Sequence, residues 1–65
     1  MTREEIIDKL IEISKQQAAI VGSLATVEAM IDSGYLAYWV KKPYLGSRDV
    51  LNEINLAVAV IRDVQ

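Results

Sequence analysis

The chain has 65 residues and a mass of 7.3 kDa, which suffices for one helical domain over residues 1–65 and leaves no room for a second core. It contains no cysteine and no histidine, which excludes disulfides, zinc sites of the usual Cys/His type, imidazole bases and thiolate nucleophiles. Apolar residues make up 52% of the chain and the formal charge is only −2, whereas so small a domain buries only about 60% of its unfolded surface. We therefore expect a protein that is not an enzyme, uses no cofactor or metal, and covers surplus apolar surface by self-association.

The sequence predicts neither a membrane span nor an export signal. The longest uncharged segment, residues 16–27, has 12 residues, and a span needs about 20 apolar ones. The first five residues mix acidic and basic side chains, and no apolar stretch with a small-residue cleavage site follows them. We expect a soluble protein of the cytoplasm that does not act at a membrane.

The N-terminal half predicts one long helix. Thr2 and Glu5 form a capping box, in which the Thr2 hydroxyl accepts from the Glu5 amide and the Glu5 carboxylate reaches back. Beyond it, eight residues recur at alternating spacings of four and three, the pattern of a coiled-coil seam. The predicted seam is Ile6, Leu10, Ile13, Gln17, Ile20, Leu24, Val27 and Ile31. A helix over residues 3–32 would be roughly 45 Å long, so we expect the seam to bind other copies of the chain.

Three polar or small positions bear on how this helix packs and where it ends. Gln17 either fixes the register of an oligomer by bonding its symmetry mate or contacts a ligand inside the bundle. Gly22 either kinks the helix or permits close approach of another helix. Gly34 is expected to end the helix in the left-handed conformation, while Asp32 or Ser33 is a candidate to start the next turn.

The C-terminal half predicts a short segment and a second helix. The aromatic residues of the segment 35–42 favour a strand. Its C-terminal lysines and the following Pro43 favour a short helix, which is the interpretation we prefer. A loop over residues 44–46 follows, and Ser47 is expected to cap a terminal helix that starts at Arg48. The apolar stripe expected on that helix is Val50, Ile54, Ala57, Ile61 and Val64. The predicted fold class is all-α, a homo-oligomeric helical bundle.

Charge and aromaticity are concentrated in one segment. Residues 33–48 carry a net charge of +3 and all four aromatic residues, between flanking segments of −3 and −2. Aromatic faces stack on planar ligands, cations attract anions, and free amides at a helix N-terminus, here at Gly46-Ser47-Arg48, hold phosphate. The predicted ligand-binding residues are Tyr35, Tyr38, Trp39, Lys41, Lys42, Tyr44, Ser47 and Arg48. In the alternative interpretation, the aromatics close one end of the bundle and the lysines extend into solvent.

Two functions fit this segment. The first is a non-catalytic homo-oligomer that sequesters a small anionic, nucleotide-like ligand, in pockets between protomers. The second is a small inhibitor or adaptor that docks its aromatic and basic residues on an acidic protein. A purely structural role, in which these residues bind no ligand, is the remaining alternative. Long nucleic acid fits less well, because acidic segments flank only three cations.

Ser47-Arg48-Asp49 open a terminal helix that ends in Ala59-Val60-Ile61-Arg62. In this pattern the chain resembles the small helical-hairpin proteins that phages use as nucleotide sponges in anti-defence. The resemblance covers about 16 residues and implies an oligomer that sequesters the cyclic-nucleotide or ADP-ribose-derived messengers of bacterial immunity, in the host cell cytoplasm. It implies Ser47 and Arg48 as ligand contacts.

Overall fold

The computed structural model describes residues 1–31 and 34–63, and within these ranges the chain is entirely helical apart from short ends. Helix α1 spans Arg3–Ala29 and helix α2 spans Gly34–Asp63. The two helices pack antiparallel along their length as a hairpin, with Cα dimensions of 50 × 15 × 13 Å. The all-α prediction is confirmed, and the segment 35–42 is helical.

Helix α1 begins where the capping signal predicts. The Thr2 hydroxyl accepts a hydrogen bond from the Glu5 amide at 3.2 Å, and Glu4 and Glu5 place negative charge in the first turn, where the helix dipole favours it. The helix continues without interruption through Gly22, whose carbonyl accepts from the Thr26 hydroxyl at 3.0 Å. No side chain lies within 4 Å of where a Cβ on Gly22 would stand, so close helix approach is not the role of this glycine within the hairpin.

Helix α1 ends three residues earlier than predicted. Met30 is its C-cap, with φ −88° and ψ −6°, and its amide donates to the Val27 carbonyl at 3.1 Å. The prediction of a left-handed Gly34 is wrong, because Gly34 is the first residue of α2 and no described glycine has a positive φ. The expected turn residues Asp32 and Ser33 lie outside the described residues.

Helix α2 is one continuous helix, so the predicted break after residue 42, the loop over 44–46 and the N-cap at Ser47 are wrong. Pro43 lies inside the helix, where it supplies no amide to the carbonyl four residues earlier and would ordinarily break the helix. Continuous packing explains why the helix persists. Apart from Ala57, the half-buried or buried residues of α2 keep spacings of three and four across the proline: Ala37, Val40, Tyr44, Ser47, Leu51, Ile54, Val58 and Ile61.

The pairing of the two helices also corrects the prediction of what covers α1. The sequence predicted that α1 needs another chain to cover it, whereas α2, 30 residues long, runs along its whole length. The hairpin nevertheless buries little: Ile7 and Val58, at 9% and 7% exposed, are its buried residues within the described ranges. Val50, expected on the inner stripe of the last helix, is exposed, and Val64 lies outside the described residues.

The middle of the hairpin is marked by a polar contact between the helices. The Gln17 side-chain amide Nε2 donates to the Ser47 carbonyl at 3.0 Å, which places these two residues at one level. We call residues 17–31 and 34–47 the turn half, and residues 3–16 and 48–63 the open half. Both buried residues, Ile7 and Val58, belong to the open half.

Candidate functional site

The predicted ligand-binding residues all lie on α2, and the helix gathers most of them on the turn half. Six of them, from Tyr35 to Tyr44, occupy three consecutive turns, and all of these except Tyr44 are exposed. Trp39 is 54% exposed, and Tyr35 and Tyr38 are more exposed still. The hairpin therefore does not enclose these aromatics, and we call Tyr35, Tyr38, Trp39, Lys41 and Lys42 the aromatic-basic surface.

The aromatic rings of this surface hold one another in place. Tyr38 and Trp39 meet edge to face, with ring centroids 5.4 Å apart and planes at 82°, a favoured arrangement for neighbouring rings. The Lys42 ammonium lies 5.8 Å from the Trp39 ring centroid, within cation–π range. Trp39 thus presents an ordered ring with a positive charge on one side of it.

A second cation–π pair lies further along the helix. The Arg48 guanidinium carbon is 5.6 Å from the Tyr44 ring centroid, at the i, i+4 spacing that brings side chains together on a helix. Tyr44 is half-buried against α1, whereas Arg48 is exposed. Tyr44 therefore contributes to the hairpin contact and offers less surface to a ligand than Trp39.

A shallow depression runs along one edge of the aromatic-basic surface. Its volume is about 210 Å³, below the ~300–1,000 Å³ of ordinary ligand pockets. It is lined by Tyr38, Lys41, Lys42 and Leu45. Leu45 escaped the sequence prediction because residues 44–46 were assigned to a loop; its helical i, i+4 relation to Lys41 is the signal that would have found it.

The predicted anion cradle at Gly46-Ser47-Arg48 does not form. A cradle needs unsatisfied amides at a helix N-terminus, but these residues lie in the interior of α2, and the Ser47 carbonyl also accepts from Gln17. The structure leaves the Ser47 and Arg48 side chains as ligand contacts untested. Any phosphate at this surface would meet lysine ammonium groups and not backbone amides.

The residues of the predicted seam divide into two rows. Leu10, Gln17, Leu24 and Ile31 are half-buried between the helices, whereas Ile6, Ile13, Ile20 and Val27 are exposed. Beside the exposed row, α1 carries an apolar depression of about 360 Å³, lined by Ala19, Ile20, Ser23, Leu24 and Val27. Half of the predicted seam is thus available to a partner outside the hairpin.

The remaining surface offers little chemistry. A wider depression of about 610 Å³ lies at the open end of the hairpin, and it carries both signs of charge without an aromatic residue. It is lined by Thr2, Arg3, Glu4, Ile7 and Arg62. Over residues 1–31 and 34–63, no three acidic side chains cluster as a metal site would require.

Comparison with known proteins supplies no relative for this chain. No known protein family, no curated protein and no solved structure matches it. Across the described residues, neither helix has the length and apolar character needed to cross a membrane.

Proposed function

We propose that the protein is a non-catalytic binding module that docks its aromatic-basic surface on an acidic patch of a partner protein. The observation that carries this proposal is the exposure of Trp39, held between Tyr38 and Lys42 on an open helix face. Tryptophan and tyrosine are favoured anchors in protein interfaces. Because α2 has no acidic residue before Asp49, the charge of this surface is positive throughout.

The shape of the surface supports a protein partner over a small ligand. Small ligands are usually enclosed over most of their surface, whereas here one helix offers a convex face and a depression of about 210 Å³. A protein patch can cover the exposed rings of Tyr35, Tyr38 and Trp39 together. Burial of those rings would then supply most of the binding energy, and the lysines would steer the approach of an acidic partner.

Trp39 is the only tryptophan of the chain, so its fluorescence reports directly on this surface. We expect a glutamate-rich amphipathic peptide to shift that fluorescence, and binding to weaken several-fold between 0.05 and 0.5 M salt, because screening reduces the attraction of the lysines. Replacing both Lys41 and Lys42 by glutamate should abolish the shift. An unchanged spectrum at millimolar peptide would contradict the proposal.

A photo-crosslinking amino acid at position 42 tests the same proposal in cells. It should trap a protein whose crosslinked segment is acidic, as identified by mass spectrometry, and the Trp39→Ala change should abolish the product. Leu56 provides the matched control, since it is 64% exposed on the same helix but lies in the open half. Equal crosslinking after Trp39→Ala and Leu56→Ala would count against docking at this surface.

The second candidate function is sequestration of a small nucleotide-like anion. It is favoured by one observation: Lys41 and Lys42 both line the depression beside the Tyr38 ring, so a stacked base and a phosphate would find partners within a few ångströms. Calorimetry with a panel of nucleotides and cyclic nucleotides should then show heat that Tyr38→Ala removes. No heat for any of them would end this candidate and leave protein docking unaffected.

We also propose that the protein works as a homo-oligomer. Four large aliphatic side chains of α1 remain exposed in the hairpin, and only two residues of the described chain are buried, which is little for an isolated domain. Native mass spectrometry should report a single oligomeric species. A monomer at tens of micromolar would contradict the proposal.

A further inference from the structure

Six of the large exposed aliphatic residues of the two helices share one side of the hairpin, and Leu45, Leu56 and Val60 of α2 lie outside this set. On α1 the exposed row Ile6, Ile13, Ile20 and Val27 repeats every seven residues, each one position before an inward-facing residue. On α2 the row Leu36, Pro43, Val50 and Ala57 has the same spacing and the same offset, and its first three members are exposed whereas Ala57 is half-buried. Viewed from one end of the hairpin, the chain rotates clockwise in one helix and anticlockwise in the other, because the helices are antiparallel. Residues that lie one position before the inward-facing residue therefore lie on the same side of the hairpin in both helices.

We call this side the apolar face. The corresponding positions one step after the inward row of α1 are Asp8, Lys15, Gly22 and Ala29, which contain no large apolar residue. The large exposed aliphatic residues of α1 therefore lie on one side of this helix. One-sided exposure of this kind marks an interaction surface.

The size of the apolar face suits a stable dimer. Its length is that of α1, about 40 Å, and its width that of two helices, about 20 Å, so it offers roughly 800 Å² per copy, the size of a standard protein interface. The chain has an accessible surface of 4976 Å², whereas a compact monomer of this mass would expose about 4,200 Å². The excess is similar to the area of this face.

The apolar face is also self-complementary about its middle. On α1 the exposed row is centred close to Gln17, since Ile13 lies four residues before it and Ile20 three residues after it. Continuing outward, Ile6 is matched by Val27. A second copy turned end over end would therefore meet apolar residues with apolar residues along the exposed row of this helix.

The same symmetry holds on α2 about Ser47. Pro43 lies four residues before Ser47 and Val50 three residues after it, and further out Leu36 is matched by Ala57. Because Gln17 donates to the Ser47 carbonyl, the centres of the two helices lie at one level. A single axis through that level can then relate both helices to their copies.

From this symmetry we infer that the partner on the apolar face is a second copy of this chain, and the inference rests on the proposed self-association. The two-fold axis lies at the level of Gln17 and Ser47, perpendicular to the helices. In this dimer α1 packs antiparallel on α1 of the second copy, and α2 packs antiparallel on α2 of the second copy. The turns of the two hairpins then lie at opposite ends of the dimer. Such an isologous contact closes at two copies.

The distribution of charge favours this axis over one parallel to the helices. In the described chain the open half carries seven acidic and five basic residues, and the turn half carries one acidic and two basic residues. The perpendicular axis lays each acidic open half against a turn half, whereas the parallel axis stacks like on like.

Two spin labels distinguish the axes, since the natural chain has no cysteine. With Met30→Cys, the proposed dimer separates the labelled backbones by about 40 Å, from 13 residues of rise on each side of Gln17. With Gln16→Cys they lie within about 20 Å, because this position is next to the axis. An axis parallel to the helices predicts similar short distances for both, and that result would overturn the arrangement while leaving self-association intact.

A substitution pair tests the face itself. Ile20→Lys places a charge in the apolar face and should raise the dimer dissociation constant at least tenfold, whereas Ala29→Lys, at an exposed position on the other side of α1, should not. Helicity by circular dichroism must be retained in both variants. Equal dissociation constants for the two variants, or a monomeric natural chain, would refute docking on this face.

Discussion

The open half and the turn half of the hairpin have the same helical architecture and different physical roles. The open half contains both buried residues, Ile7 and Val58, and the capped start of α1. The turn half contains Pro43, all three glycines of the chain, at Gly22, Gly34 and Gly46, and the exposed Trp39. Burial stabilises one half, and exposure makes the other available for binding, which is how stability is commonly divided within a protein.

The largest expected effect concerns the core of the open half. Ile7→Ala removes a buried side chain and should lower the free energy of unfolding by about 3 kcal/mol, the usual cost of an isoleucine-to-alanine cavity. Urea denaturation at one fixed protein concentration measures it, since self-association makes stability concentration-dependent. The control is Leu56→Ala, whose exposed side chain should matter by less than about 0.5 kcal/mol. Equal effects would mean that stability does not reside in this core.

A smaller effect of opposite sign is expected in the turn half. Pro43→Ala restores an amide that can donate to the Trp39 carbonyl and relieves a ring clash, so we expect stabilisation by about 2 kcal/mol. Hydrogen exchange should show slower exchange for the amides around Trp39 and little change around Val58. If protection around Trp39 falls instead, Pro43 supports the packing of this half more strongly than it disturbs the helix.

This difference between the halves also explains what the sequence could predict. The capping box at Thr2 and the 3–4 periodicity of α1 are local signals, and both predicted a helix that the structure contains. Pro43 and Gly46-Ser47 are equally local signals for a break, but they were overridden by packing. Each turn of α2 on both sides of Pro43 contacts α1, so ending the helix there would uncover the inner side of the turn half.

The sequence predicted which residues form the candidate site but not how they are arranged. The sequence identified the aromatic and basic residues of 35–48, because the absence of acidic residues there is visible directly. It could not predict the Gln17–Ser47 contact, since the seam of α1 was assigned to another copy and Ser47 to a cap. The inner row of α2, with Val40, Tyr44 and Leu51, was the pattern that would have joined these segments into one helix.

The smallest expected change in stability is at the aromatic-basic surface, and it isolates binding from folding most sharply. Trp39→Ala removes a ring that is 54% exposed. Its described ring contacts are with Tyr38 and Lys42, on the same helix. We therefore expect the free energy of unfolding to change by less than about 0.5 kcal/mol. The same variant should lose docking of the acidic partner, because truncation of a tryptophan anchor commonly costs at least 2 kcal/mol of binding energy, about thirtyfold in affinity. Urea denaturation and crosslinking from position 42 measure the two quantities. A large loss of stability with unchanged docking would reverse the roles of the two halves, since Trp39 would then hold the hairpin together.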